Sequence, residues 1–228
     1  MLAIAHRGCM DDYPENTAAA FRAVGPKADI VEFDVQRCGS GELVVFHDET
    51  LERVTGRSGR VDETDWTELS QLEIHDSGER MPLLSEALAA VPAGTTVTVE
   101  LKSADIAEEV VAKTRPVDND VIVSSFRWNE LRSARDAGAE TLAVLCSEKT
   151  EEALSIAEGL GADYIHPPKE ACLGTDLVPR AHERGVQVNV WTVDTKTDVE
   201  EMSRAGVDGV STNRVGILDL VRSRDGAE

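Results

Sequence analysis

Short apolar runs alternate along the chain with longer stretches in which apolar residues recur every three or four positions. The first pattern is typical of buried strands, and the second of helices that bury one face. The apolar runs predict strands over 2–5, 30–35, 43–46, 96–102, 121–124, 141–145, 164–166, 186–193 and 209–211. The periodic stretches predict helices over 18–24, 83–91, 106–114, 128–137, 151–160, 177–184, 198–205 and 217–222.

Strands that alternate with helices at this spacing favour a parallel sheet, and about eight such units predict a closed (β/α)₈ TIM barrel. Nine strand candidates compete for eight places, so one run must be an extra or an edge strand, which the pattern does not identify. An open doubly wound sheet is the alternative, but the glycine-rich phosphate-binding turn of that fold is absent after the first strand. The predicted fold class is therefore α/β, a TIM barrel with a small insertion.

Residues 49–81 interrupt this alternation. They are polar, rich in arginine and acids, and show no sustained period, although Trp66, Leu69, Leu72 and Ile74 could form one small apolar cluster. A segment of this length without strong elements is unusual inside a compact domain and often has a function. We predict a single TIM-barrel catalytic domain over residues 1–228, with 49–81 as a small insertion that either closes over the substrate or packs aside.

The apolar run 30–35 carries two acids, Glu32 and Asp34, spaced two residues apart. Because side chains alternate across a strand, both acids should point to one face, and Val31, Phe33 and Val35 to the other. Two acids on a buried strand lose hydration and repel each other, which costs several kcal/mol unless a positive charge lies between them. A divalent cation would supply that charge, and arginine partners on neighbouring elements are the structural alternative.

Other polar side chains fall where predicted strands end, which in a TIM barrel is the face that carries the active site. They are His6, His47, Glu100, Lys102 and, less clearly, Trp191. Three carboxylates without a cysteine suit a hard cation, so the expected cofactor is one divalent ion, Mg²⁺ or Ca²⁺.

The chain is strongly acidic, with 43 Asp and Glu against 23 Lys and Arg and a formal net charge of -20. Such a field repels nucleic acids and anionic membranes, so neither is an expected partner. Acids spread over the whole length suit a protein kept soluble in high salt, as in a halophile. The four cysteines show no metal-binding spacing, and neither a signal peptide nor a membrane span is evident, so we expect reduced thiols and a cytoplasmic location.

Several segments recur as a set: His6-Arg7-Gly8, Pro14-Glu15-Asn16-Thr17, Glu32-Phe33-Asp34-Val35, Val45-Phe46-His47-Asp48, Glu100-Leu101-Lys102, Ser124-Ser125-Phe126, Trp191-Thr192-Val193-Asp194 and Gly206-Val207-Asp208-Gly209. Together they resemble the glycerophosphodiester phosphodiesterase family over nearly the whole chain. The resemblance implies a phospholipase-C-like TIM barrel with a small insertion after the strand that bears His47. It also implies metal-dependent hydrolysis of glycerophosphodiesters, small-molecule substrates of lipid and glycerol metabolism, to sn-glycerol 3-phosphate and an alcohol.

The resemblance also implies residue roles. The catalytic histidines fall on His6 and His47, and the metal carboxylates on Glu32, Asp34 and Glu100. Arg7 and Lys102 match positions that meet the phosphate, while Phe126 and Trp191 match apolar positions near the glycerol. The chain departs from the family at Cys38-Gly39-Ser40-Gly41, where Thr-x-Asp-Gly is usual, and at Asn213-Arg214-Val215, where an Asp-x-Pro-like ending is usual. We expect both departures to lie in turns away from the chemistry and to affect loop shape more than activity.

In the implied reaction one histidine takes a proton from the attacking hydroxyl and the other protonates the leaving alcohol, roles that suit an imidazole because its pKa is near neutrality. The sequence does not decide which histidine is the acid. It also leaves open the leaving group, the metal and the oligomeric state. Competing functions are a metal-assisted aldolase or enolase-type barrel and a non-catalytic barrel that binds a metal or a phosphodiester.

Bland interpretations remain for several of these residues. Arg7 could instead pair with Glu15 or Glu32, and Lys102 could simply neutralise Glu100. Asn16 is expected to cap the helix that follows it, with support of the site as the alternative. Phe126 and Trp191 could be core residues. His75, His166 and His182 are interpreted as structural or surface residues.

Overall fold

The structure is a computed structural model that describes residues 1–225. Its strands are β1 (Leu2–Ala5), β2 (Ile30–Arg37), β3 (Leu43–Val45), β4 (Thr96–Leu101), β5 (Val121–Ser125), β6 (Thr141–Leu145), β7 (Tyr164–His166), β8 (Gln187–Val190) and β9 (Gly209–Thr212). Its α-helices are α1 (Ala18–Val24), α2 (Glu52–Thr55), α3 (Trp66–Leu69), α4 (Leu84–Ala90), α5 (Ala107–Thr114), α6 (Trp128–Asp136), α7 (Thr150–Leu160), α8 (Leu177–Glu183), α9 (Lys196–Ala205) and α10 (Val215–Asp225). All predicted strands and helices are confirmed, and their ends differ from the prediction by a few residues.

Eight of the strands described within residues 1–225 form a closed parallel barrel. They follow the order β1-β2-β4-β5-β6-β7-β8-β9, and the barrel closes because β1 pairs with both β2 and β9. The remaining strand, β3, runs antiparallel to β2 with Val35 opposite Val45. The short turn between β2 and β3 cannot hold the crossover that a parallel pair requires. The ninth strand candidate is therefore β3, and the predicted barrel is confirmed.

Two apolar layers determine where an active site can form in this barrel. Outside it, strand residues pack against the helices, as Phe33 of β2 does against Phe21 of α1 with ring centroids 5.1 Å apart. Inside it, one end is filled by the apolar side chains of Ile4, Ile30, Ile122 and Ala143. Above that filling most of the inward-facing residues are polar, with Leu145 as an exception. The open end of the barrel is therefore the carboxyl end of the strands, as is usual for this fold.

Residues 49–81 pack around a separate apolar cluster that also includes Cys38, Val44 and Phe46. Leu69, Leu72 and Ile74 are buried in it and Trp66 packs against it, so the predicted small cluster is confirmed. The segment joins the barrel at Gly39, whose backbone N–H faces the carbonyls of Val61 and Thr64 at 3.2 and 2.9 Å. A Cβ atom at position 39 would lie 2.9 Å from the backbone of Glu63 and Thr64, so this contact requires glycine. Separately, among the described residues, no helix is both long and apolar enough to cross a bilayer.

Candidate active site

Three carboxylates converge at the open end of the barrel. Glu32 and Asp34 project inward from β2, and Glu100 projects inward from β4, whose register places it beside Asp34. One oxygen from each residue lies within 4.8 Å of the others. Val31, Phe33 and Val35 point outward into the helix-facing core, so the predicted alternation along 30–35 is confirmed.

The carboxylates cannot all ionise easily on their own. Burial and the charge of Asp34 raise the pKa of Glu100 to about 7 and the pKa of Glu32 well above its usual value. Burial also opposes ionisation of Asp34, but Arg7 and Lys102 hold the pKa of Asp34 below its usual value. Within the described chain Glu32 Oε1 is buried without a hydrogen-bond partner. A hard divalent cation would satisfy that oxygen and remove the repulsion, so the residues present fit such an ion.

Two basic side chains flank the carboxylates. Lys102 Nζ lies 2.8 Å from Glu100 Oε1 and 3.6 Å from Asp34 Oδ1. Arg7 Nη1 lies 3.3 Å from Glu15 Oε1, and Arg7 Nε lies 3.4 Å from Asp34 Oδ2. The backbone N–H of Arg7 donates to Glu32 Oε2 at 2.9 Å. Both basic residues therefore pair with acids of the site, and they also line the cavity above it.

Arg7 achieves these contacts through an unusual backbone conformation. It has φ of 50° and ψ of 29°, and the flanking Gly8 and Cys9 also have positive φ. A left-handed conformation at a residue other than glycine costs on the order of 1 kcal/mol and occurs where surrounding contacts enforce it. The reversal lets one residue direct its amide to Glu32 and its guanidinium to Asp34.

His6 is held by an amide rather than by a carboxylate. Asn213 Nδ2 donates to Asp194 Oδ2 at 2.9 Å, which turns the Asn213 carbonyl oxygen toward His6. His6 Nδ1–H then donates to that oxygen at 2.6 Å, leaving Nε2 as the basic nitrogen. Burial and the charge of Arg7 lower the pKa of His6 to about 4, so the imidazole is neutral at pH 7.

The placement of Asn213 corrects an expectation from the sequence. The segment Asn213-Arg214-Val215 was expected to lie away from the chemistry, yet Asn213 contacts the first candidate catalytic histidine directly. The barrel closes by pairing β9 with β1, with Thr212 opposite Ala5, so the residues that follow these two strands are neighbours. Closure of a barrel is a tertiary event that local sequence patterns do not report.

His47 has a direct carboxylate partner instead. Its Nδ1–H donates to Asp48 Oδ1 at 2.6 Å, and Asp48 accepts a second hydrogen bond from Arg53 Nε at 2.6 Å. The guanidinium of Arg53 also binds Glu15 through two hydrogen bonds of 2.6 and 2.9 Å. Burial lowers the pKa of His47 despite the opposing effect of Asp34. Arg53 comes from α2, so residues 49–81 contribute to the surroundings of this histidine.

Asn16 supports the site and does not cap the helix, contrary to the expectation from the sequence. Its Nδ2 donates to Asp34 Oδ2 at 2.9 Å, and its backbone has φ of 58°, which asparagine tolerates better than most residues. Thr17 caps α1 instead, since its hydroxyl accepts from the Ala20 N–H. Two adjacent residues therefore have separate roles: Asn16 binds the carboxylate of Asp34, and Thr17 caps α1.

Phe126 and Trp191 form an aromatic ledge at the rim. Their rings meet edge to face with centroids 5.9 Å apart, and Phe126 is 42% exposed, so it is not a core residue. The two side chains and both candidate histidines line one cavity of about 260 Å³ above the carboxylates. The structure therefore brings together all nine residues that the sequence singled out for the site, namely His6, Arg7, Glu32, Asp34, His47, Glu100, Lys102, Phe126 and Trp191.

Further polar residues of this cavity were missed by the sequence analysis. His166 was interpreted as structural or surface; it is buried in the cavity wall beside Asn189, with its pKa lowered by burial to about 4. The Asn189 and Ser124 side chains each leave a buried polar atom without a partner in the described chain. Period-two alternation from Trp191 back to Asn189 is the one signal that could have indicated an inward position. His75 and His182 do lie at the surface, paired with Glu15 and Asp208.

These groups together define a class of protein. A (β/α)₈ barrel carries three carboxylates suited to a hard cation, two basic side chains, and two histidines with different hydrogen-bond partners around one cavity. Such a site can bind an anionic ester, neutralise its charge and move protons on both sides of it. The class is that of barrel enzymes for metal-assisted phosphoester chemistry.

Residues 6–217 match the model of the glycerophosphoryl diester phosphodiesterase family. The chain belongs to this family. It is 35% identical to a glycerophosphodiester phosphodiesterase of Caldanaerobacter subterraneus subsp. tengcongensis, over 97% of this chain and 98% of the relative. It is 30% identical to a glycerophosphodiester phosphodiesterase of Bacillus altitudinis, over 92% of this chain and 93% of the relative. Its fold matches a solved phosphodiesterase from Oleispira antarctica, in complex with the product sn-glycerol-3-phosphate, with a TM-score of 0.88, 26% identity and coverage of 100% and 97%.

Proposed function

We propose that the protein hydrolyses glycerophosphodiesters to sn-glycerol 3-phosphate and an alcohol, with His6 and His47 as the proton-transfer residues. The observation that carries this proposal is the convergence of two histidines and three carboxylates around one cavity from four strands, β1, β2, β3 and β4, and the residues that follow them. Membership of the family and the product named for the Oleispira antarctica protein support the same reaction.

One divalent cation, Mg²⁺ or Ca²⁺, is the proposed cofactor, held by Glu32, Asp34 and Glu100. When bound, it would neutralise negative charge that grows on the phosphate oxygens in the transition state. The orphaned Glu32 oxygen and the opposed carboxyl charges support this assignment. Carboxylate ligands completed by other oxygens suit either ion, so the choice between the two belongs to experiment.

The different partners of the two histidines support different roles. His6 donates through Nδ1 to a neutral amide and keeps an unprotonated Nε2, as a base that takes a proton from the attacking hydroxyl requires. His47 donates through Nδ1 to the Asp48 carboxylate, which favours the protonated imidazolium that a general acid needs. We therefore assign His6 as the base and His47 as the acid that protonates the leaving alcohol.

The remaining site residues bind substrate in this proposal. Arg7 and Lys102 contact the phosphate, since both side chains reach the cavity while anchored on carboxylates. The ledge of Phe126 and Trp191 packs against the carbon backbone of the glycerol. A small molecule occupies the cavity; a nucleic acid is disfavoured by the net charge of -20.

We also propose a domain organisation, a cellular location and a salt environment for the chain. We regard residues 1–228 as one TIM-barrel catalytic domain with 49–81 as its small insertion. Burial of all four cysteines as free thiols supports a cytoplasmic location. The excess of acids over the whole length supports adaptation to high salt.

The test measures release of sn-glycerol 3-phosphate from glycerophosphocholine and glycerophosphoglycerol with Mg²⁺, Ca²⁺ or EDTA, at low and high salt. We expect metal-dependent release that is lost in Glu32→Ala and falls by about 10³-fold or more in His6→Ala and His47→Ala. The matched control is His182→Ala, whose surface histidine pairs with Asp208 away from the cavity. Turnover near that of the wild type in both folded histidine variants would refute the assignment. Metal binding without release would indicate a binding protein instead.

A further inference from the structure

A second depression lies beside the cavity, on the side of His47. This outer groove has a volume of about 660 Å³ and shares His47, Glu100, Lys102 and Phe126 with the cavity. It extends over the turn at 38–41 to Arg37, Arg60 and Arg127. His6 and Trp191 line the cavity and do not line the groove. The two histidines therefore differ in which space they face: His6 faces the cavity alone, and His47 faces both.

Because the two histidines face different spaces, they indicate where each half of a phosphodiester substrate lies. This inference rests on the proposed function. The base must reach the attacking hydroxyl and the acid must reach the oxygen of the departing alcohol, which lies on the other side of phosphorus. With His6 as the base and His47 as the acid, the glycerol half occupies the cavity. The leaving alcohol then lies past His47, where the chain forms the outer groove.

The charges along the groove discriminate among leaving groups. Four basic and three acidic side chains line it, in a chain whose net charge is -20. Each of the acids already has a cationic partner: Glu49 and Asp62 pair with Arg60, and Glu100 pairs with Lys102. The residues that line the groove therefore include no unpaired carboxylate that could bind a quaternary ammonium group. Phe126 is the one aromatic side chain among them, and a single ring does not form the aromatic cage that binds such a group.

Arg127 is the basic residue of the groove that has no acidic partner. Its Nε donates to the Lys102 carbonyl at 2.9 Å, which anchors the side chain beside the site. Arg37 pairs with Glu109 and Arg60 with Asp62, but no carboxylate of residues 1–225 pairs with Arg127. Its outer guanidinium nitrogens are available to an anion, for which arginine is well suited because it can donate two parallel hydrogen bonds.

We propose that the outer groove is the leaving-group subsite, that it favours an alcohol bearing an anionic group over one bearing an ammonium group, and that Arg127 recognises that anion. The reaction itself is unchanged. The oxygen of the attacking hydroxyl forms a bond to phosphorus as His6 takes its proton, the ester bond from phosphorus to the leaving oxygen breaks, and His47 supplies the proton to that leaving oxygen. Arg127 takes no part in the proton transfers and acts on specificity.

The experiment compares kcat/KM for three substrates that differ in the charge of the leaving group. Glycerophosphocholine releases a cation, glycerophosphoglycerol a neutral polyol, and bis(glycerophospho)glycerol an anionic polyol phosphate. Each is assayed with wild type, Arg127→Ala, Arg127→Lys and the control Arg132→Ala, an exposed arginine of α6 outside the groove. We expect the wild type to prefer the anionic over the cationic leaving group by about tenfold, after allowance for the two equivalent ends.

Arg127→Ala should lower kcat/KM for the anionic substrate by about tenfold and abolish the preference for the anionic leaving group. Arg127→Lys should retain part of that preference, because lysine keeps the charge but cannot donate two parallel hydrogen bonds. Arg132→Ala should match the wild type. The preference should also shrink as salt is added, because an exposed ion pair is screened. A preference for glycerophosphocholine, equal rates on the three substrates, or an equal loss on all three in Arg127→Ala would overturn the subsite. Failure to release sn-glycerol 3-phosphate from any substrate would instead overturn the proposed function on which it rests.

Discussion

His6 and Asn213 lie 207 residues apart in the chain and are joined by a hydrogen bond of 2.6 Å between Nδ1 and Oδ1. The orientation of the Asn213 amide is determined by Asp194, which can only accept hydrogen bonds and takes one from Asn213 Nδ2 at 2.9 Å. The carboxylate therefore acts on the imidazole through an intervening amide. This relationship determines the tautomer of His6, with Nε2 unprotonated, while burial and Arg7 keep the ring neutral. The arrangement of amide and carboxylate can be reversed by exchanging the two side chains.

The exchange variant Asn213→Asp with Asp194→Asn should move the acid limb of the pH profile upward. A carboxylate in direct contact with Nδ1–H stabilises the imidazolium and raises the pKa of His6 from about 4. Because the base must be neutral, kcat/KM should then begin to fall at a pH at least about one unit higher than in the wild type. The single variant Asp194→Asn is the control, because it removes the charge at position 194 without adding one at position 213. An unmoved acid limb in the folded exchange variant would exclude His6 as the base.

Asp48→Asn should move the alkaline limb of the pH profile. Loss of the carboxylate that accepts from His47 Nδ1–H lowers the pKa of His47 further, so the acid loses its proton at a lower pH. We expect the alkaline limb of kcat/KM to shift downward and kcat to fall by about 10- to 100-fold at neutral pH. The matched control is Asp176→Asn, an exposed carboxylate that pairs with Arg180 and does not line the cavity. A shift confined to the acid limb would reverse the roles of the two histidines.

Metal-free protein should lose stability as the pH rises. The pKa of Glu100 is raised from 4.5 to about 7, so its protonated form contributes stability below pH 4.5 that is lost as the pH passes through 7. In EDTA the Tm should therefore fall between about pH 5 and 8, a loss on the order of 2 kcal/mol in unfolding free energy. Glu100→Gln should flatten this dependence, and added Mg²⁺ or Ca²⁺ should restore the Tm of the wild type but not of the variant.

A control for that measurement is Glu68→Gln, a half-exposed carboxylate on α3 paired with Arg57. It should leave the slope of Tm against pH unchanged. If the metal-free wild type showed no fall in Tm, or if Glu68→Gln altered it as much as Glu100→Gln, the carboxylate cluster would not be the source of the instability.

Arg53→Met should impair turnover although Arg53 is not placed in contact with substrate. Its guanidinium joins Glu15, which holds Arg7, to Asp48, which holds His47. Without Arg53, Glu15 and Asp48 lose their shared cation. Arg7, which Glu15 binds, and His47, which Asp48 binds, are then less well positioned relative to each other. We expect kcat to fall by about 10- to 100-fold with a smaller change in KM. The alkaline limb should move upward, because the Asp48 charge beside His47 is then no longer compensated by a cation and the pKa of His47 rises.

Arg57→Met is the matched control for Arg53→Met, because Arg57 lies on the same segment and pairs with exposed Glu68. It should leave kcat and the pH profile as in the wild type. Equal effects of the two substitutions would mean that residues 49–81 act only through their overall stability. An increase in KM alone for Arg53→Met would mean that Arg53 binds substrate instead of positioning the histidine.

The sequence by itself determined the secondary-structure elements and most of the side chains that gather at the open end of the barrel. Period-two and period-3.6 patterns are local, and they sufficed for each strand and helix and for the inward direction of Glu32 and Asp34. Strand ends in a parallel barrel share one face, so His6, Glu100 and Lys102 could be grouped without coordinates. His47 follows β3, which runs antiparallel to β2 outside the barrel, so only the pairing of β3 with β2 explains its position beside the other site residues.

Tertiary structure alone decided the partners of those residues. Asn213 reaches His6 because β9 closes on β1, and Arg53 reaches Asp48 and Glu15 because residues 49–81 fold back over the rim. Asn16 turns to Asp34 and leaves the cap to Thr17 because the chain there adopts a left-handed conformation. Periodicity reports which face a side chain takes. Hydrogen bonds between residues distant in sequence depend on how the barrel closes, and burial within the closed barrel lowers the pKa values of both histidines.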